Sequence, residues 1–402
     1  MTPAPHDPHR TDVLVVGGGN AGISLAARLL RTGTARDVAL VEPSPVHRYR
    51  PLLNYVGGGE ATTADLERPM VDVVPDGVRW VRDAVDGVDL DARTVTTRRG
   101  RTLAWSRLVL CPGLDEDWAA TPGLQDAYAA GWAFSTYVPA AAPLVWPALR
   151  RLREGTVLFT VPPEPAGCAP TALKPLLMAC GHWQRRGVLD DLRVVLALPL
   201  RHAIGVPDAD ARLEEVLAGY GVEVWREATV ESVDPVVRTV EVRTPTLTRR
   251  LEDLALAHAV PHYTAPGWIE ASGLADGDPA GLVDIDPETL RARAHPDVWA
   301  IGDAAALRTT SSGGALRKQV DVLVHNLAAA AAGGRLRRYD GYTVAPITTS
   351  RRRLLLVETD RSGARRRRLP LLSRARPRLS AWLLDRYVLP RWYWRGILRG
   401  RV

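Results

Sequence analysis

Cysteine, phenylalanine, methionine and lysine are all scarce: 3, 2, 3 and 2 residues in a chain of 402. Cys111, Cys168 and Cys180 are too few for a disulfide framework and lack the CxxC or Cys/His spacing of a zinc site, so no metal centre is expected and at most a lone working thiol remains. No stretch approaches the ~18 uninterrupted apolar residues of a membrane-spanning helix. The opening MTPAPHDPHR has no apolar core of the signal-peptide kind, which leads to the expectation of a cytoplasmic protein. With 46% hydrophobic and 24% charged residues the chain is neither disordered nor fibrous, and its length suits two or three domains with sizeable cores. Only Lys174 and Lys318 stand among 52 basic residues. So strong an arginine preference reads as coding bias, and the two exceptions either mark sites needing a compact ammonium rather than a planar fork or are chance survivors.

Acid is nearly missing from one region. From Arg361 to Val402 thirteen arginines face a single acid, Asp385, a local net of +12, so residues 1–360 carry +7 − 12 = −5. The arginines are interleaved with Trp382, Tyr387, Trp392, Tyr393, Trp394 and several leucines. Nucleic-acid arms are usually poorer in bulky aliphatics, so a membrane surface is the expected partner and nucleic acid is not. A terminal helix packed on the body, arginines outward, is the alternative.

What is present is a repeated alternation of strand and helix. DVLVV meets GGGNAG and then ISLAARLLRTG, whose apolar residues recur at helical spacing. DVALVEP is a second strand, residues 79–113 read as a meander closing on RLVLC, and an Ala/Pro-rich linker follows at 139–147. The pattern then restarts with GTVLFTV, a helix over ALKPLLMACGHWQRRG, the strand LRVVLALPL, the helix ARLEEVLAGYG and another meander. HPDVWAIGDAAAL runs from a strand into a helix start, and ALRKQVDVLVHNLAAAAAGG is a long helix closed by paired glycines. The expected fold is α/β, with two Rossmann-like βαβ domains and a C-terminal amphipathic membrane-binding segment. The boundaries are 11–114 with 283–360 for a discontinuous FAD-binding domain, 115–282 for a second Rossmann-like domain, and 361–402 for the basic segment.

Gly17, Gly19 and Gly22 satisfy GxGxxG between a strand and a helix, and Glu42 ends the next strand. This context supplies a tight turn, close approach of backbone to a pyrophosphate, and an acid for ribose hydroxyls, which suits FAD or NAD and disfavours a 2′-phosphate. The late Gly302-Asp303 resembles the second FAD motif of two-dinucleotide-domain flavoproteins, whose aspartate bonds the ribityl chain, and RLVLCPG stands where they carry a short ATG-like segment. FAD is therefore expected. The second domain should open on another glycine loop, yet it reads TVPPEPAGCAPTALK, with one glycine and four prolines. Proline removes the N–H donors of which a phosphate nest is built, so NAD(P)H is not the expected electron donor. The loop offers Cys168 instead, just before a helix start whose dipole is expected to lower its pKa and enrich the thiolate. A buried structural cysteine is the alternative.

Several segments together resemble the sulfide:quinone oxidoreductases of mitochondria and many bacteria: HRYRPLLNYVGGG, CAPTALK, HAVPHYTAP, YDGYTVAPITTS and the closing RLSAWLLDRYVLPRWYWRGILRG. The resemblance implies a peripheral membrane flavoenzyme in which a cysteine pair takes up sulfide, a persulfide forms, and electrons reach quinone through FAD. The first family cysteine matches Cys168, with Lys174 six residues on, and these are the expected catalytic residues. The second falls on Ala345, which has no sulfur chemistry. The expected cofactor-binding residues are Gly17, Gly19, Asn20, Ala21, Gly22, Glu42, Pro51, Val85, Gly113, Gly302, Asp303, Lys318 and Gln319, the last two at the flavin's pyrimidine edge. The quinone set is Tyr342, Ile347, Tyr393 and Trp394. His202 and His258 are either proton carriers or structural groups. Three readings stay open: sulfide oxidation by Cys168 alone with transfer of the sulfur to an acceptor thiol, a quinone-linked dehydrogenation of another donor, and a non-catalytic flavin-bearing membrane protein.

Overall fold

The run DVLVV forms the inner part of a buried strand, Arg10–Val16, in a computed structural model that describes residues 10–275, 277–364 and 376–401. Val78–Val81, Val38–Val41, Arg10–Val16, Thr102–Leu110 and Val298–Ala300 lie side by side in that order, all parallel. Their near-continuous apolar composition is what a parallel sheet covered on both faces requires. The hairpin Val85–Asp89 and Thr94–Thr97 folds antiparallel onto Thr102–Leu110. The chain thus moves outward from Arg10–Val16 and then returns on its other side. The crevice at such a reversal is where open α/β sheets bind ligands, and Gly17–Gly22, Cys111 and Gly302 follow the strand ends there.

The second half repeats the plan. Ala133–Phe134, Leu254–His258, Gly155–Thr160, Leu192–Leu198 and Glu223–Arg226 make a five-stranded parallel sheet, accompanied by the helices Leu173–Arg186 and Pro207–Gly219 and a three-stranded meander over Thr229–Asp234, Thr239–Arg243 and Thr248–Leu251. Two Rossmann-like units are present, as the alternating pattern predicts. The stretch 139–147, expected to be a linker, is largely the helix Ala142–Leu149, with Val145 and Leu149 fully buried. Pro143 falls in the first turn, where its missing N–H costs no intrahelical bond, so a proline-rich reading hid a helix.

Side chains cross the expected domain boundaries. Ala265, Ile269 and Leu274 join the first core, whereas Ile347, Leu355 and Val357, from the hairpin Thr343–Ser350 and Arg353–Thr359, join the second. Of the basic segment 361–402, residues 365–375 and 402 lie outside the described residues. The remainder packs on the first core through Trp382, Tyr393 and Leu398, each 5% exposed or less. At roughly 2–3 kcal/mol per large buried side chain, these three are enough to hold the segment against the body. Gly400 reaches the helix Asn20–Thr32, and a Cβ there would lie 2.8 Å from the Ala27 carbonyl carbon. Among the described residues no helix is long and apolar enough to cross a membrane.

Candidate active site

The glycine loop is shaped by close approach. Gly17 leaves its strand at φ +102°, and a Cβ on it would lie 2.2 Å from the Cys111 carbonyl oxygen; a Cβ on Gly22 would lie 1.8 Å from the Gly17 oxygen, and one on Gly18 2.5 Å from Glu42 Cγ. A Cβ on Gly19, by contrast, would meet nothing within 4 Å. The helix Asn20–Thr32 that follows has no side-chain cap and no acid in its first turn, so its first N–H groups stand free at the positive end of the macrodipole. Glu42 accepts from Gly18 N and Ser44 N, both at 2.7 Å, and each carboxylate oxygen retains a lone pair for a ribose hydroxyl. The cradle fits a dinucleotide. Cys111 belongs to its wall: its thiol lies 3.6 Å from the Gly17 oxygen, and burial raises its pKa so that it stays protonated.

The second motif meets the first. A Cβ on Gly302 would sit 3.6 Å from Ala21 Cβ, and Gly302 N donates to Gln319 Oε1 at 3.0 Å. Pro51 and Asn20 approach Gly313, Gly113 turns at φ +82°, and Val85 is a buried core residue of the hairpin, paired with Thr97. Asp303 accepts from the Ser311 hydroxyl, and a Cβ on Gly167 would lie 2.9 Å from Asp303 Oδ2. The proline loop therefore delivers Cys168 to the second flavin motif. Cys168 adopts φ +53°, in the left-handed region that is uncommon for non-glycine residues and that seven others of the described residues share. Its thiol is directed at Val344 O at 3.6 Å, next to Ala345, and its carbonyl accepts from Tyr137 OH at 2.8 Å and Thr171 Oγ1 at 2.9 Å.

The expected lowering of the thiol pKa is overturned. Cys168 precedes a four-residue 3-10 turn, Ala169–Ala172, and the α-helix begins only at Leu173, so no long-helix N-terminus faces the sulfur. Burial pushes the thiol up to about 12, with Asp303 and Glu164 adding to the rise and Lys174 and a hydrogen bond from Thr171 opposing it. The thiol, not the thiolate, is the resting form. Alkylation at Cys168, followed by peptide mass spectrometry, is accordingly expected to accelerate about tenfold per pH unit from pH ~7 to ~10, because each unit below the pKa cuts the thiolate fraction tenfold. A plateau below pH ~9 would show an acidic thiol instead. Beyond the Gly155–Thr160 strand, Thr160, Val161, Pro163, Ala197 and Val260 close around a cavity of about 10 Å3, space for one water and not for a nucleotide.

A family model described as pyridine nucleotide-disulphide oxidoreductase matches residues 11–139. The sulfide:quinone oxidoreductase of mouse mitochondria is 29% identical over 392 residues, which are 97% of this chain and 86% of the mouse protein. The chain is similar to the sulfide:quinone oxidoreductases over nearly its whole length. The Dictyostelium discoideum mitochondrial enzyme of the same name is also 29% identical, over 395 residues, 97% of this chain and 86% of that protein. The solved Aquifex aeolicus sulfide:quinone oxidoreductase superposes with a TM-score of 0.83, covering 97% of this chain and 92% of that one; at 15% identity this likeness speaks for the fold alone. The protein is an oxidoreductase flavoenzyme.

Lys174 does not touch the sulfur through any hydrogen bond in the structure. Its side chain is 1% exposed, its Nζ lies 2.7 Å from Asp385 Oδ2 and 4.6 Å from the centre of the Tyr55 ring, and Tyr55 OH donates to the same Oδ2 at 2.7 Å. Thr348 Oγ1 lies 3.3 Å from Tyr55 OH. The tail's one acid thus ends in a buried cluster on the cysteine helix, and Lys174 acts on Cys168 through its charge. Lys318 pairs with Asp340 at 2.8 Å and lies 4.2 Å from the Tyr342 ring centre, so its ammonium is already engaged at the base of the hairpin.

The quinone set divides between two places. Tyr342 and Ile347 are buried on the hairpin, Tyr342 donating to Glu358. Tyr393 lies on the glycine-loop side, bonded to His47 at 2.5 Å, with Trp394 edge-on to the same histidine at 5.7 Å. His258 is a structural group: burial lowers it to about 4, and its Nε2 accepts from Thr136 N at 3.1 Å. Through Thr136, Asn54 and Thr171 it is connected to the carbonyl of Cys168. His202 is exposed. Gly18, His47, Tyr55 and Thr171 were not singled out by sequence reasoning; the middle glycine of GGG was the one available signal, since the other three partners lie far apart along the chain.

Proposed function

We propose that this enzyme oxidises sulfide at Cys168 and passes the electron pair to a membrane quinone, with FAD held between the glycine loop, Glu42 and Asp303. The observation that carries the reading is Cys168 in a left-handed corner of the loop that abuts Asp303. When bound, FAD supplies two-electron redox capacity at that junction. The net change balances as the Cys168 thiol plus hydrogen sulfide plus quinone giving the Cys168 persulfide plus quinol: an S–S bond forms, two electrons and two protons leave the sulfur atoms, and the quinone takes up both. Transfer of the outer sulfur to an acceptor thiol restores the Cys168 thiol without further redox change. Lys174 favours the transient thiolate by its charge, Thr171 by its hydroxyl, and Tyr137 steadies the Cys168 carbonyl.

The enzyme sits on an anionic membrane surface in this reading. Leu379, Leu383 and Tyr387 recur at four-residue spacing, Val388 and Trp392 are also exposed, and the same segment carries the exposed Arg391, Arg395 and Arg399. A second reading is favoured by Ala345: with no second sulfur on the strand beside Cys168, the donor would be a different, quinone-linked substrate. Anaerobic titration of the flavin-loaded protein with sulfide separates the two. Loss of the flavin's visible absorbance on sulfide addition is expected; an unchanged spectrum at millimolar sulfide would exclude sulfide as donor.

A further inference from the structure

Two side chains fix the orientation of the Gly18 peptides, and one of them is itself held by the C-terminal segment. Gly18 N–H is taken by Glu42, and the Gly18 carbonyl by His47 Nδ1 at 3.0 Å. A carbonyl only accepts, so Nδ1 carries the proton. Burial lowers His47 to about 4, so the ring is neutral, Nε2 is an acceptor, and Tyr393 OH, 2.5 Å away, must donate to it. The tyrosine is fixed in turn: it is 1% exposed and packs on Tyr49 with ring centres 4.4 Å apart.

The peptide between Gly18 and Gly19 is planar, so its C=O and N–H point in opposite directions. Holding the carbonyl toward His47 aims Gly19 N–H the other way, and Gly19 itself stands in open space, a Cβ on it meeting nothing within 4 Å. That N–H is one of the free donors opening the helix Asn20–Thr32.

We propose that Tyr393 and His47 are positioning residues for the cofactor: Tyr393 selects the Nδ1–H tautomer of His47, which turns the Gly18–Gly19 peptide so that its N–H faces the dinucleotide pyrophosphate. The C-terminal segment thereby takes part in holding the cofactor, which gives Tyr393 a role other than lining a quinone site. The inference rests on the FAD reading above.

The test compares FAD release from full-length holoprotein, followed by the rise of free-flavin fluorescence after dilution. Tyr393→Phe removes one hydrogen bond and its hold on the tautomer, and release is expected to quicken about fivefold or more. In parallel, side-chain nitrogen NMR of His47 is expected to change from the single Nδ1–H form to a mixture of tautomers. His47→Asn places an amide N–H near the position of Nδ1 and needs no tautomer, so in that background Tyr393→Phe is expected to leave release unchanged. Equal losses in both backgrounds would show that Tyr393 acts by packing alone and overturn the proposal, as would a wild-type release rate in Tyr393→Phe. Wild-type protein unable to bind added FAD would overturn the FAD reading itself.

Discussion

Cys168→Ser is expected to cut sulfide-dependent quinone reduction on the order of 10³-fold or more while flavin binding and fold persist. Serine is nearly isosteric and carries the same Cβ, so it meets no new contact at φ +53° and keeps the carbonyl bonds to Tyr137 and Thr171. The cradle residues Gly17–Gly22 and Glu42 belong to the other domain and are untouched. What is lost is the sulfur that must form the S–S bond, and an alcohol cannot replace it. Steady-state quinone reduction with sulfide, together with the flavin spectrum of the purified variant, checks this. A Cys168→Ser protein that turns over sulfide within tenfold of wild type would remove the thiol from the mechanism, and quinone reduction with another donor would then become the leading account.

Removing the carboxylate of Asp385 is the second large effect. Asp385→Ala strands the Lys174 ammonium in a site where it is 1% exposed and leaves Tyr55 OH without its acceptor. Breaking a buried pair from one side costs about 3–5 kcal/mol, because the remaining charge is left without compensation. Replacing both partners by apolar side chains of similar size avoids that penalty. The expected order in denaturant unfolding is therefore wild type, then Lys174→Met with Asp385→Leu close behind it, and Asp385→Ala well below both. A single variant within about 0.5 kcal/mol of wild type would mean that water reaches Lys174, since that is the ordinary range for exposed substitutions.

Much of the fold was legible because its signals are local. A strand, a glycine turn and a helix adjoin one another in sequence, and so do GDA and the strand before it, so both halves of the dinucleotide frame could be placed without tertiary information. The proline loop was legible in its chemistry, four prolines in TVPPEPAGCAPTALK removing the N–H donors of a phosphate nest. The acidity of Cys168 was misjudged for a physical reason. A helix start counts only over its first turn, whereas the sulfur is separated from the α-helix by a 3-10 turn and buried against Asp303 and Glu164, neighbours 135 and 4 residues away in sequence. Asp385 stood out as the one acid of the tail, but nothing local pointed to Lys174, 211 residues earlier, as its partner. The Ala142–Leu149 helix was missed because two prolines in so short a stretch argue against a helix unless one occupies the first turn and the other its last.

The hairpin Thr343–Ser350 and Arg353–Thr359 sends Leu354 into the first core and Ile347, Leu355 and Val357 into the second. A wall shared in this way makes the hairpin a clasp: any swing of one half against the other would have to pull apolar side chains out of one of the two cores.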